Sequence, residues 1–132
     1  MSIDSANEKG RDFWDDYCSK FSSIYGTSNS LFNKLVNNLF RKGMKLRFKA
    51  TIERINPETS NSILDMGCGP GVYLRSLALK KIKNLVGVDY SKDMLEIAES
   101  ATLDFKENVK LFHSDVHDFN PKKIKKFDDI IM

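Results

Sequence analysis

The feature that most constrains this chain is a series of glycines directly behind a short apolar segment. The motif is Asp65-x-Gly67-x-Gly69-x-Gly71, and it follows an apolar start at residues 63–64. Glycine adopts backbone conformations that other residues avoid, and it lets a ligand approach the main chain with no Cβ in the way. A helix that begins behind such a turn offers N–H groups and the positive end of its dipole. The motif therefore predicts a strand, a ligand-binding turn and a helix.

The C-terminal half alternates between short apolar runs and helical patterns, which is typical of a parallel sheet with crossover helices. The predicted strands are 63–66, 85–88, 109–112 and 128–132. A helix is expected over about residues 72–81, and another is expected to begin behind Ser91, whose hydroxyl can cap it. The sequence thus predicts an α/β fold with a three-layer parallel sheet of about four strands.

The N-terminal part has a different pattern. Apolar residues recur at helical spacing over residues 11–25, and Ser30 is a candidate N-cap for a second helical stretch. Gly43 lies inside that stretch and is a candidate break between two helices. We therefore expect N-terminal helices over residues 1–58, on the cap or substrate side, and a ligand-binding core over residues 59–132.

The composition argues against several classes of protein. The net charge is only +3, because 21 basic residues are offset by 18 acidic ones, and this is too small to indicate a nucleic-acid partner. Cys18 and Cys68 give neither a disulfide framework nor metal-ligand spacing, and His113 and His117 complete no ligand set with them. No stretch approaches the length of a membrane span. We expect a reducing, cytoplasmic location, no bound metal, no nucleic acid and no membrane span.

Two further acids follow predicted strands. Asp89 stands at the end of the second strand, where a carboxylate can accept hydrogen bonds from two ribose hydroxyls, and Tyr90 beside it could lie against an adenine ring. Asp115 follows the third strand and can accept from an exocyclic amino group, while the Val116 N–H can donate to a ring nitrogen. Because parallel strands end at one edge of a sheet, these acids are predicted to lie with the glycine turn at a ligand-binding edge.

Each of these features also has a plainer interpretation. The glycine turn could merely connect a strand to a helix, Asp89 could cap the helix near Ser91, and Asp115 could be a turn residue. Their joint placement at one edge favours a ligand site. Asp65 further favours a cationic group, such as the ammonium of a methionyl moiety, over a pyrophosphate.

Residues 60–132 resemble the class I S-adenosylmethionine-dependent methyltransferases. The resemblance is carried by successive motifs, ILDMGCGPG, VGVDYSKDML, HSDVHDF and FDDIIM. It implies a Rossmann-like fold with S-adenosyl-L-methionine as the cofactor. It also implies methyl transfer by direct displacement at the sulfonium methyl, driven mainly by positioning of the nucleophile.

The resemblance implies that each motif binds a different part of the cofactor. Asp65 and the glycine loop would hold the methionyl part, Asp89 the ribose, and Asp115 the adenine. Two N-terminal motifs, FWDDYCSKFSSIYG and LFRKGMKLRF, are loosely similar to the leading helices of small-molecule methyltransferases, including porphyrin- and quinone-methylating enzymes. A small-molecule acceptor is therefore implied, and no catalytic base is identified. The candidate cofactor-binding residues are Asp65, Gly67, Cys68, Gly69, Gly71, Asp89, Tyr90, Met94, Asp115, Val116 and Tyr25.

Two alternatives to an active methyltransferase stay open. The sequence stops in the fourth predicted strand, whereas the family continues through three more, so we expect a truncated product or a domain that another chain completes. A non-catalytic S-adenosylmethionine-binding fragment or subunit is the first alternative. A nicotinamide-dependent oxidoreductase is the second, but its GxGxxG motif, counted from Gly67, would place the last glycine at Val72.

Overall fold

The computed structural model describes residues 31–132, and the side chains of residues 41–132. Tyr25, Ser30 and the first predicted helix lie outside the described residues. Contacts divide the chain into one unit at Met1–Thr51 and another at Ile52–Met132; the predicted boundary at residue 58 stays a prediction. The elements are α1 (Leu31–Arg54), β1 (Ser62–Met66), α2 (Val72–Leu79), β2 (Asn84–Asp89), α3 (Lys92–Ala101), β3 (Val109–His113) and β4 (Asp129–Ile131), with 3₁₀ turns at Leu103–Phe105 and Pro121–Lys123.

Helix α1 runs without a break through Gly43, so the predicted break is wrong. A glycine inside a helix costs only about 1 kcal/mol relative to alanine and keeps its hydrogen bond, so the neighbouring residues can maintain the helix. The chain leaves the helix before Pro57, whose ring disfavours helical backbone at Asn56. Near this end, the Lys80 ammonium donates to the Ile52 carbonyl at 2.6 Å. That contact satisfies one of the last carbonyls of the helix.

The four strands form one parallel sheet in the order β3-β2-β1-β4. This confirms the predicted α/β fold, and the ends of each predicted strand are shifted by at most one residue. The register places Asp65 beside Gly87 and Asp89 beside His113. The chain moves outward from β1 through β2 to β3 and then returns to the other side of β1. The carboxyl end of β1 is therefore a topological switch point, where open α/β sheets bind ligands.

The alternation of side chains along the strands gives the sheet two apolar faces. On one face, Ile63 and Leu85 belong to a cluster with Leu74 and Leu77 of α2. On the other face, the buried residues Leu64, Val86 and Val88 are covered by Phe119 and Phe127, which come from the segment between β3 and β4. Burial on both faces explains why β1 and β2 are nearly continuous apolar runs. Apart from the first residue of each strand, the polar exceptions are Asp65 and Asp89, which lie toward the carboxyl ends.

Two residues beyond the end of α2 lies the one non-glycine residue with a positive φ in the described part of the chain, Lys81 at 68°. The Lys81 N–H donates to the Ala78 carbonyl at 2.9 Å, and the Ile82 N–H donates to the Leu77 carbonyl at 3.2 Å. This pair of bonds is the Schellman motif, in which glycine is the usual residue at the left-handed position. Lysine at this position stores strain, because its Cβ lies too close to the backbone.

Replacing Lys81 by glycine is therefore expected to raise the free energy of unfolding by about 0.5–1 kcal/mol, since relief of the left-handed strain outweighs the added freedom of the unfolded chain. Urea denaturation of the two proteins measures the difference. Lys83→Gly is the matched control, because it removes the same charge at a position without a positive φ. The control should lower stability slightly, and equal effects of the two changes would contradict the assignment of strain to Lys81.

Candidate cofactor-binding site

The glycine loop connects β1 to α2 and crosses the end of β2. The N–H groups of Gly67 and Cys68 both donate to the Val88 carbonyl, at 2.7 and 3.0 Å, and the Gly71 N–H donates to the Cys68 carbonyl at 3.0 Å. These N–H groups are therefore used inside the protein. The φ angles of Gly67, Gly69 and Gly71 are 79°, 51° and 78°, a region that residues with a Cβ avoid. The loop thus contributes a backbone conformation that requires glycine, and these N–H groups are not left over for a ligand.

The three glycines differ in what surrounds them. A Cβ added to Gly67 or Gly69 would meet no other atom within 4 Å, so the backbone surface is open there. A Cβ added to Gly71 would lie 3.0 Å from the Cβ of Ala98 in α3. The first two glycines therefore suit the close approach of a ligand. The third lets the loop pack against a helix.

Asp89, at the end of β2, accepts hydrogen bonds from the glycine loop and from the residue that precedes α3. Its Oδ2 accepts a hydrogen bond from the Gly69 N–H at 2.8 Å, and its Oδ1 accepts one from the Ser91 N–H at 2.8 Å. The predicted N-cap of α3 is confirmed as Ser91, whose Oγ accepts from the Met94 N–H. Asp89 is therefore not the helix cap. Because a carboxylate has about four acceptor positions, each Asp89 oxygen can still accept from a ligand.

The electrostatics around the loop are set by two carboxylates. Asp65 is only 2% exposed, at the carboxyl end of β1. Burial raises the pKa of the Cys68 thiol well above its ordinary value, and the negative charges of Asp65 and Asp89 raise it further. The thiol therefore stays protonated, and it lies in the core at 5% exposure. Two negative charges this close to one thiol create a local potential that favours a cationic ligand group.

The remaining predicted residues lie at or next to the same edge. Tyr90 is 73% exposed, Val116 is 40% exposed, and Met94 is half-buried in the first turn of α3. Asp115 Oδ1 accepts the His117 N–H at 2.8 Å, so the turn interpretation holds for that oxygen. The structure thus brings these residues to the edge where Asp89 ends β2. Their contacts with a ligand stay predictions.

Two residues of this region were not among the candidate site residues predicted from the sequence. A Cβ at Gly87 would lie 2.5 Å from Leu74 Cδ1 and 2.9 Å from Cys68 Sγ, so only glycine lets the loop and α2 pack on β2. His113 Nε2 lies 2.8 Å from the Tyr90 carbonyl oxygen. A glycine inside an apolar strand does signal a close approach, and Gly87 could have been found in that way. The only sequence signal for His113 is its place at the end of a strand.

Among residues 41–132, whose side chains the structure describes, no group of histidine, cysteine, aspartate and glutamate could hold a metal ion. None of the helices in residues 31–132 is both long enough and apolar enough to cross a membrane. Tyr25, the remaining candidate cofactor contact, is outside the described range.

The comparisons with known proteins agree with this geometry. The methyltransferase domain family matches residues 63–132, which contain the glycine loop, Asp89 and Asp115. The chain belongs to this family. Its parallel sheet and its relatives place it among the class I S-adenosylmethionine-dependent methyltransferases. The match gives no support to the nicotinamide-dependent alternative.

Two curated relatives show how far the similarity extends along this methyltransferase domain. EEF1A lysine methyltransferase 2 of Danio rerio is 38% identical over 79 residues, which cover 58% of this chain and 33% of that protein. A demethylmenaquinone methyltransferase of Oceanobacillus iheyensis is 31% identical over 111 residues, which cover 82% of this chain and 44% of that protein. The chain therefore spans between a third and a half of the length of these relatives.

A solved structure extends the comparison of the fold. The magnesium protoporphyrin IX methyltransferase of Synechocystis PCC 6803, crystallised with bound SAM, has a TM-score of 0.61 and 18% sequence identity. The similarity covers 98% of this chain and 62% of that chain. At this identity the similarity shows the fold alone. The family match supports S-adenosylmethionine as the cofactor.

Proposed function

We propose that this methyltransferase domain binds S-adenosylmethionine at the carboxyl edge of β1, β2 and β3 and transfers the methyl group to a small-molecule acceptor. The observation that carries the proposal is the open backbone surface at Gly67 and Gly69, next to the carboxylates of Asp65 and Asp89. When bound, S-adenosylmethionine supplies an electrophilic methyl group on a positively charged sulfonium. The negative potential around the loop is suited to such a cation.

Each part of the edge has a proposed task. The Asp65 carboxylate favours the ammonium of the methionyl part, and Asp89 accepts hydrogen bonds from the ribose hydroxyls. The first intrahelical hydrogen bond of α2 runs from Arg75 to the Gly71 carbonyl at 2.9 Å. The turn before Arg75 is therefore the positive end of a helix, which suits the methionyl carboxylate. Asp115, Val116, Tyr90 and Met94 are proposed to surround the adenine.

A small-molecule acceptor is supported by the extent of the alignments. The relative named for demethylmenaquinone aligns over 82% of this chain, more than the lysine methyltransferase at 58%. A 23S rRNA (uracil(1939)-C(5))-methyltransferase of Vibrio vulnificus aligns over 73% at 30% identity. The expectation that nucleic acid is not a partner is therefore not supported, and RNA is the second candidate acceptor. A cytoplasmic location stays a prediction, and no residue is proposed as a catalytic base.

The proposal predicts saturable binding of S-adenosylhomocysteine and no comparable binding of NADH, because Asp65 disfavours a pyrophosphate. Titration calorimetry on the 132-residue chain measures both ligands. Methyl transfer is then measured with S-adenosylmethionine labelled in its methyl group and offered with small-molecule, RNA and protein fractions of a cell extract. Label in the small-molecule fraction would support the proposed acceptor, and label in RNA would replace it.

Three other results would replace or reject the proposed function. Binding of S-adenosylhomocysteine without transfer to any fraction would favour a cofactor-binding module that another chain completes. Tighter binding of NADH than of S-adenosylhomocysteine would favour the oxidoreductase alternative. Absence of S-adenosylhomocysteine binding would reject both the enzyme and the module.

A further inference from the structure

The end of β3 holds the segment that follows β2 through two backbone carbonyls. His113, the last residue of β3, lies opposite Asp89 in the parallel register. Its Nε2 is 2.8 Å from the Tyr90 carbonyl oxygen. The N–H of the next residue, Ser114, donates to the Asp89 carbonyl at 3.0 Å. Consecutive carbonyls at Asp89 and Tyr90 are thus each bonded to the end of β3.

The same segment carries the carboxylate that holds the glycine loop. Asp89 Oδ2 accepts from the Gly69 N–H and Asp89 Oδ1 from the Ser91 N–H, both at 2.8 Å. An unbroken series of hydrogen bonds and one covalent step therefore runs from His113 through Tyr90 and Asp89 to the loop. The series contains two side chains, the Asp89 carboxylate and the His113 imidazole. Removal of the carboxylate would break the bonds from the Gly69 and Ser91 N–H groups, whereas removal of the imidazole would leave every backbone N–H bond in place.

The surroundings of Tyr90 explain why this bond matters. The Tyr90 side chain is 73% exposed, so packing contributes little to fixing the position of the residue. Its ring centroid lies 6.4 Å from that of His113, at an interplanar angle of 39°, near the outer limit of the distances at which aromatic rings interact. The imidazole bond to the Tyr90 carbonyl therefore adds a restraint at Tyr90 to those that the Ser114 and Ser91 N–H groups make with Asp89.

We propose that His113 is a positioning residue for the cofactor site: its imidazole N–H donates to the Tyr90 carbonyl and fixes Asp89 where it holds Gly69 and meets the ribose. The part of this inference that concerns the ribose rests on the proposed function. The part that concerns Gly69 does not, because that hydrogen bond is made by the protein alone. The donor is available both in the protonated imidazole and in the neutral tautomer with hydrogen on Nε2.

Affinity for S-adenosylhomocysteine tests the inference through the cofactor. His113→Phe keeps an aromatic ring but removes the donor, and it is expected to weaken binding roughly 3- to 10-fold, the range for one lost neutral hydrogen bond. His113→Gln can place an amide N–H near the position of Nε2, and it should retain affinity within about 2-fold. His117→Phe, an exposed neighbour whose side chain makes no hydrogen bond with the described residues, is the control and should leave affinity unchanged.

Amide hydrogen exchange without ligand separates this inference from the proposed function. In His113→Phe, the amides of Gly69 and Ser91 should exchange several-fold faster than in the parent protein, whereas His113→Gln should restore the parent rates. This readout remains informative if the protein fails to bind S-adenosylhomocysteine. Parent-like exchange and affinity in His113→Phe would overturn the inference, as would equal losses in the Phe and Gln variants. If His113→Phe disturbs folding, His113→Ala is used with the same criteria.

Discussion

Asp89→Ala is expected to weaken the binding of S-adenosylhomocysteine by about 1.5–3 kcal/mol, roughly 10- to 150-fold, the range for hydrogen bonds to a charged group. The reason is twofold. The substitution removes the acceptors proposed for the ribose hydroxyls, and it also releases the Gly69 N–H and the Ser91 N–H from the carboxylate. Titration calorimetry measures the dissociation constant, and circular dichroism verifies that the variant is folded.

Two further variants isolate the cause. Asp93→Ala removes the same charge from an exposed position in the first turn of α3 and should change affinity by no more than about 2-fold. Asp89→Asn keeps an oxygen for the Ser91 N–H, but its amide nitrogen cannot accept from Gly69, so its affinity should fall between those of the parent and the alanine variant. A parent-like dissociation constant for Asp89→Ala would reject the proposed role of Asp89.

Gly87→Ala is expected to lower the free energy of unfolding by about 1–3 kcal/mol, the usual cost of forcing an extra methyl group into a packed core. The added Cβ would lie 2.5 Å from Leu74 Cδ1, 2.9 Å from Cys68 Sγ and 2.9 Å from Leu111 Cδ2. Leu74 and Cys68 are 0% and 5% exposed, so neither can move into solvent. Urea denaturation measures the loss. Because Cys68 belongs to the glycine loop, the affinity for S-adenosylhomocysteine should fall as well.

Gly43→Ala is the matched control for this prediction. It adds the same methyl group, but in a helix and with no other atom within 4 Å of the new Cβ. Its expected effect is of opposite sign, a gain of roughly 0.5–1 kcal/mol in helix stability. A Gly87→Ala protein as stable as the parent would show that the packing around β2 is looser than the structure indicates.

Some properties of the ligand-binding edge could be predicted from the sequence, and others are visible only in the structure. The sequence predicted that Asp65, Asp89 and Asp115 follow neighbouring parallel strands, because apolar runs and turn residues are local patterns. It also predicted that the helix behind the glycine loop would offer N–H groups to a ligand. It did not show that, within the loop itself, the N–H groups of Gly67 and Cys68 bond to the Val88 carbonyl. Local sequence could not reveal this, because the acceptor belongs to another strand.

By itself, the sequence determined the α/β class, the places of the strands and the glycine-acid motif, since these depend on the period of apolar residues and on the backbone preferences of glycine. Tertiary structure alone decided which glycine faces open space and which faces a helix, that Asp89 holds Gly69, and that His113 reaches Tyr90. The physical reason is that these properties depend on contacts between residues distant in sequence, and such contacts are set by the order and register of the strands.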